Sequence, residues 1–368
     1  MTASIPSRVP GPPRLRAGGA EYTSPDEAHP SESASAKAPR REAERAEIGP
    51  ASQHSSEVEP TVNAAAMADA ADPDDVKHRI RTIDVIPFAM THLLCFGIIW
   101  VGWSWTAVSV AVFLYLLRMF VITGFYHRYF SHRSFKTYRW VAFLFGFIGI
   151  TSAQRGPIWW ASHHREHHRH SDEEPDIHSP HIHGMLWSHM GWFLSIPGRQ
   201  TCRKAVPDLL KLPEIQFLDR FHLIGPIVLG FGMFGLGWML ERFIPTLGTN
   251  GWQMVIWGYA VSTAVLYHGT FTINSLAHMF GRRRFRTKDD SRNNLFLALI
   301  TLGEGWHNNH HYYPGAARQG FYWWEIDITW YILLAMQRVG LVWDVNVVPE
   351  RVLAAGQRKQ SASDSEHR

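Results

Sequence analysis

His127-Arg128-Tyr129-Phe130-Ser131-His132, His164-Arg165-Glu166-His167-His168 and His307-Asn308-Asn309-His310-His311 are three histidine clusters, each set against a long apolar segment. Imidazole is the commonest protein ligand for a transition metal. These eight histidines exceed one mononuclear site, so the economical reading is two metals at a membrane surface. His164, His167 and His168 stand at i, i+3 and i+4 and share one helix face. His307, His310 and His311 repeat that spacing, so each triplet is expected to present three rings to a metal. Asn274 and His278 form a further i, i+4 pair. His278 is a candidate ninth ligand, and Asn274 binds directly or through water. His127 and His132 are five apart, which is not one α-helical face, so the helix must end or distort between them.

A spanning helix needs roughly 20 mostly apolar residues. Four segments qualify: about 84–103, 105–126, 222–243 and 252–273. Turn residues near Ser104, and again at Pro245, Gly248, Asn250 and Gly251, divide them into two hairpins. The fold expected is therefore an all-α membrane protein with four transmembrane helices. The hairpin tips carry almost no basic charge beyond Arg242. Arg128, Arg133, Lys136, Arg139, Arg282, Arg283, Arg284, Arg286 and Lys288 gather at the other side with every histidine cluster. That side, with both termini, is expected to be cytoplasmic, in a bacterial inner membrane. The shorter apolar runs Trp140–Ile150 and Leu295–Leu302 read as buried or interfacial helices. Trp159, Trp160, Trp187 and Trp192 suit a headgroup-level belt.

Composition separates three regions of the 368 residues: a tail at 1–78, a domain at 79–350 and a second tail at 351–368. The first tail is rich in Ala, Ser, Pro, Glu and Arg with almost no aromatic residue, and is expected to be disordered, as is the second. The net charge of +4 suits a basic membrane face, and no nucleic-acid motif is present. The two cysteines, Cys95 and Cys202, support neither a disulfide framework nor an iron–sulfur site.

The three boxes, in this order and between two hairpins, resemble the integral-membrane fatty acid desaturases, most closely the Δ9 acyl-CoA branch. The resemblance runs over about 80–350. It is carried by His127–His132, Trp160–His168, Asn274–His278, Gly303–His311 and Ala317–Trp330. It implies a cytosolic helical cap holding two ferrous ions. The implied ligands are His127, His132, His164, His167, His168, His278, His307, His310 and His311, with Asn274 through water. No catalytic residue is implied beyond them. The implied activity is O₂-dependent conversion of a saturated long-chain acyl group, on CoA or lipid, to a cis alkene. Two electrons would come from a separate ferredoxin-like or b-type cytochrome donor with its reductase, because no haem, flavin or nicotinamide motif is present.

Carboxylates normally fix the tautomer of ligating histidines. Glu304, Asp172 and Asp176 are the candidates, with Glu166 and Glu173 nearby. A substrate tunnel is expected near Trp160 and Arg155. Tyr115, on the second span about 18 Å below His127, is placed to close it. Arg118 on the same helix is expensive in lipid and should face the interior. Arg155, Arg282, Arg283 and Arg284 form a basic rim suited to coenzyme A phosphates or anionic headgroups. Two rival readings follow from the same residues. A membrane hydroxylase or alkane monooxygenase would share the metal chemistry. A metal transporter would place ionisable groups along a path at the bilayer midplane, whereas these histidines gather at one face.

Overall fold

The computed structural model describes residues 78–357. The expected tail at 1–78 lies outside the described residues except for His78, as do 358–368. Among the described residues, three helices are long and apolar enough to cross a membrane: Thr82–Val101, Trp105–Ser131 and Ile224–Phe243. The expected fourth span is also helical, as Gly251–Met254, Val255–Val261 and Ser262–Asn274. It is not among those three, because its run is broken by Gln253, Ser262, Thr263, His268 and Thr270. Of these, Gln253, Ser262 and Thr263 are buried in the protein.

Both hairpins turn where local chemistry dictates. Gly102 takes a positive φ of 64°, and Ser104 then caps the next helix by accepting from Ala107 N. Gly248 is left-handed, and Asn250 caps its helix by accepting from Gln253 N. The two tips are tied together: Ser104 Oγ donates to Gln253 Oε1 (2.7 Å), and Gln253 Nε2 donates to Val101 O (2.9 Å).

Large apolar side chains cover the outside of the hairpins, among them Ile99, Phe231 and Trp238. Two of the four tryptophans suggested for an aromatic belt are inside the protein. Trp159 and Trp192 are buried, and Trp159 Nε1 donates to Gly198 O (3.0 Å). Four exposed tryptophans, Trp100, Trp103, Trp105 and Trp252, lie around the tips, where an amphipathic indole suits a headgroup boundary. Arg118 is fully buried. Its guanidinium donates to Thr263 Oγ1, Ser262 Oγ and the carbonyls of Thr151 and Leu114, which satisfies the polar group inside the protein.

Opposite the tips lies a layer of shorter helices. Arg139–Ile150 buries Val141, Ala142, Gly146 and Ile150 and exposes Trp140 and Leu144. Leu295–Ile300 likewise buries Leu297 and Ala298 and exposes Phe296. Both therefore have the amphipathic form of an interfacial helix. A two-stranded ribbon closes this layer, Lys136–Thr137 antiparallel to Val342–Trp343. The expected second tail needs correction: residues 350–357 are helical. Pro349 precedes the first turn, and Val352 is buried in a small core with Phe285, Phe321 and Tyr322. The Val-Pro start and the apolar Val352-Leu353 pair give this segment a surface to bury, which a solvated tail lacks.

Candidate metal centre

The first box is shaped by its backbone. The helix Trp105–Phe120 continues as a π-helix over Val121–Ser131. His132 N donates to His127 O at 3.2 Å, the i→i+5 bond of a π-turn. The wider turn brings residues five apart onto one face, and the two rings lie 4.9 Å apart. The distortion expected from the spacing is thus a widened helix that continues through the box.

The second box lies on Pro157–His170 and the third on the short helix His307–Tyr312. The nine histidines resolve into two groups. One holds His127, His132, His164, His168 and His310; the other holds His167, His278, His307 and His311. Within each group, one ring nitrogen or more per residue lies within 4.8 Å of all the others. Each HxxHH triplet is therefore divided, contrary to the expectation of one triplet per metal. His164 and His168 face one group while His167 faces the other; His310 is separated in the same way from His307 and His311. Residues three and four apart lie on opposite sides of a common helical stripe, and that divergence suits a helix wedged between two sites.

Closest approaches in the first group run through Nε2 atoms. His310 Nε2 is 3.0 Å from His127 Nε2 and 2.8 Å from His168 Nε2, and His132 and His164 Nε2 are 2.7 Å apart. In the second group, His278 Nε2 and His307 Nε2 are 3.1 Å apart. Four carboxylates hold the far side of the rings. His127 Nδ1 is 2.5 Å from Glu304 Oε2, and His167 Nδ1 is 2.9 Å from Asp176 Oδ2. His278 Nδ1 is 2.8 Å from Asp172 Oδ2, and His311 Nδ1 is 2.9 Å from Asp289 Oδ2. A proton on each Nδ1 is fixed by its acid, which leaves Nε2 as a lone pair directed inward.

The charge states agree with that assignment. Burial, then repulsion between neighbouring imidazoles, holds His164, His168, His307 and His310 well below the usual imidazole range. They are neutral at physiological pH, the form that binds a metal. Burial alone would raise Asp172, Asp176, Asp289 and Glu304. The facing histidines, aided at Glu304 by Arg128, more than offset it and keep all four acids below their ordinary values. The donor set fits transition metals: His311 Nε2 is buried without a hydrogen-bond partner, with its other nitrogen committed to Asp289. A buried polar atom left this way costs free energy unless something binds it.

Asp289 was not among the acids picked from the sequence. The available signal was a pair of aspartates, Asp289-Asp290, inside the otherwise basic stretch 282–292 between two ligand boxes. Gln319 was also missed; its Nε2 donates to Glu304 Oε2 at 2.9 Å. Glu166 and Glu173 touch none of the nine histidines through a recorded bond; they pair with Arg169 and His170. His163 points elsewhere, as its helical position requires, against Trp159 and Trp192. Asp289→Ala is expected to weaken metal retention by about 10–100-fold, read by competition against a chelator. Unchanged retention would mean that His311 needs no orienting acid.

An apolar cavity reaches the centre from the helices below. Met119, Ile122 and Ile273 line it with Trp160, and His127, His164, His167, His307 and Asn274 form its head. Tyr115 and Arg155 do not line this cavity, unlike Trp160. Tyr115 Oη donates to Ile300 O (2.5 Å). Arg155 lies 3.7 Å from Asp84 and stacks on Trp159.

A fatty acid desaturase family model matches residues 103–343. The chain belongs to the fatty acid desaturase family. Among its relatives is an sn-1 stearoyl-lipid 9-desaturase of Anabaena variabilis, 35% identical over 75% of this chain and 97% of the relative. A palmitoyl-monogalactosyldiacylglycerol delta-7 desaturase of Arabidopsis thaliana is 37% identical over 71% of this chain and 67% of its own. An acyl-CoA 5-desaturase of Anemone leveillei is 37% identical over 70% and 77%. The desaturase is thus a membrane-associated fatty acid oxidoreductase. The narrower expectation of the Δ9 acyl-CoA branch is not what the relatives single out, since their names include lipid carriers and positions 5, 7 and 9.

Proposed function

We propose that this desaturase introduces a cis double bond at carbon 9 of a saturated acyl group carried on a membrane lipid. The observation that carries the reading is the convergence of nine histidines, in groups of five and four, at the head of an apolar cavity. His127, His132, His164, His168 and His310 would hold one iron. His167, His278, His307 and His311 would hold the other, with Asn274 beside it through water. Bound iron would supply the O₂ activation needed to remove hydrogen from an unactivated methylene.

The chain's own residues do the rest. Glu304, Asp172, Asp176 and Asp289 fix the imidazoles. Met119, Ile122 and Ile273 exclude water and hold the acyl chain beneath them. The sequence carries no haem, flavin or nicotinamide motif, so a separate ferredoxin-like or b-type cytochrome donor delivers two electrons per turnover. Four spanning helices and a cytoplasmic centre in an inner membrane complete the arrangement.

A lipid carrier is favoured over CoA because much of the basic rim is already engaged. Arg155 is placed against Asp84 and Trp159, Arg283 bonds Asp290, and Arg284 bonds Glu325. Expression in a desaturase-deficient host, followed by gas chromatography–mass spectrometry with double-bond localisation, tests the reading. A cis-9 monoene that appears first in the glycerolipid fraction is expected. A hydroxy acid would reassign the protein to the hydroxylases, and a product found first as acyl-CoA would restore the CoA carrier.

A further inference from the structure

Three histidines outside the metal centre form a chain. His92 is on Thr82–Cys95, His268 on Ser262–Asn274 and His189 on Trp187–Gly191. His92 Nδ1 lies 2.7 Å from Phe88 O, and its Nε2 lies 3.1 Å from His268 Nε2. His268 Nδ1 lies 3.0 Å from His189 Nε2, and His189 Nδ1 lies 2.9 Å from Ser275 Oγ. Ser275 Oγ in turn donates to Phe271 O at 3.0 Å. Each ring uses its two nitrogens in opposite directions, so the three rings make a line with no common focus for a metal. Ser275 is fully buried between Asn274, in the cavity wall, and the turn that carries His278.

Counting protons gives the chain its property. Phe88 O only accepts, so His92 Nδ1 must carry a proton. At the other end, while Phe271 O takes the proton of Ser275, His189 Nδ1 must carry one as well. The two ring-to-ring contacts need one proton each. In that arrangement the chain holds four ring protons, whereas three neutral imidazoles hold three. Without the extra proton the Ser275 hydroxyl turns to His189 Nδ1, and Phe271 O keeps the backbone N–H of Ser275 at 3.2 Å. The line is thus fully bonded both with and without one added proton.

We propose that His92, His268, His189 and Ser275 are a proton-sharing relay that takes up one proton and hands it on beside the cavity for the reaction there. Its use rests on the function proposed above. That reaction converts R–CH₂–CH₂–R′, O₂, two electrons and two protons into R–CH=CH–R′ and two waters. The electrons come from the external donor and the protons from solvent, so a buried centre needs a proton supply.

The ionisable groups on the packed elements leave the chain to itself. Helix Thr82–Cys95 also carries Asp84, bound to Arg199 at 3.0 Å, and Cys95, which donates to Thr91 O. Tyr267 stacks on His92 at 6.3 Å and bonds Ala153 O. Tyr115, Arg118, Tyr259 and His278 come from the elements against Ser262–Asn274, and His181 and His183 from Pro180–His183 beside Trp187–Gly191. The recorded partners of the three rings include no carboxylate. Burial, then His268, pushes His189 below the usual imidazole range, so loading proceeds as pH falls.

Histidine C2-hydrogen exchange, followed by mass spectrometry on the full-length metal-loaded protein in nanodiscs, reads the titration of each ring without reference to activity. His268→Gln is expected to move the midpoint of His189 by about one pH unit. Ser275→Ala, a smaller change, is expected to move His189. Midpoints unmoved in both variants overturn the relay. In parallel, His268→Gln is expected to turn over about 10–100-fold more slowly, with metal content unchanged and the rate recovered on adding imidazole. A loss that imidazole does not recover overturns its use as a proton source. If the unsubstituted protein forms no alkene, the proposed function falls, while the exchange measurement still decides the relay.

Discussion

His310→Ala is expected to reduce alkene formation to the host background while the protein still inserts and elutes as one species. The ring is 1% exposed and stands between the first two boxes, with Nε2 3.0 Å from that of His127 and 2.8 Å from that of His168. No other histidine of the third box joins the group of five. Removing it therefore deletes the third box's whole contribution to one site and leaves a hole at its centre. His127, its neighbour at 3.0 Å, is held from behind by Glu304 and is not free to swing across to replace it. Metal analysis of the purified variant should show one equivalent lost, with the group of four still loaded. His170→Ala is the matched control: its partner is Glu173 at 3.6 Å on the surface, and turnover should not change. Full activity in His310→Ala would remove that residue from the ligand set.

The split of the triplets explains why the sequence could locate these residues without grouping them. Spacing of three and four selects a helical stripe, and the two clusters sit on either margin of it. Which margin faces which cluster depends on how Pro157–His170 and His307–Tyr312 pack, and that is tertiary information. The π-turn at Val121–Ser131 was legible only as a conflict, five residues where an α-helix would place three or four. Apolar length found the three long helices Thr82–Val101, Trp105–Ser131 and Ile224–Phe243. Sequence alone put Trp159 and Trp192 at the surface, because a buried tryptophan beside the boxes and one at a hairpin tip look alike until burial is known. Asp289 was hidden by its basic surroundings, and the relay by distance: His92, His189 and His268 are scattered over nearly 180 positions and share no motif.

Arg128→Met is expected to be the most destabilising single substitution near the centre. Arg128 lies within the first box but bears no ligand atom. Its side chain is 1% exposed and faces two acids, Glu304 Oε1 at 3.1 Å and Asp327 Oδ1 at 3.0 Å, and it donates to Ala317 O at 2.7 Å. Asp327 in turn accepts from Trp330 N, Gln319 N and Gly320 N, so the ion pair anchors the segment that follows the third box. Space is already closed around it. Gly303 has a φ of 130°, and a Cβ there would come within 2.4 Å of Asp327 Oδ1. Methionine fills the volume but leaves Glu304 and Asp327 buried as uncompensated anions. Breaking a buried pair this way costs about 3–5 kcal/mol, or roughly 6–20 °C in thermal midpoint. Arg133→Ala provides the contrast. Its pair with Asp208 is 2.8 Å long, but the Arg133 side chain is 61% exposed, and such surface pairs contribute about 0–1 kcal/mol. Arg128→Met should also loosen His127, because Glu304 would lose the cation that holds it. Combining it with Asp327→Asn removes one of the stranded charges and should cost less than the sum of the two single changes. A thermal midpoint for Arg128→Met equal to that of Arg133→Ala would show that the two acids find other partners once the guanidinium is gone.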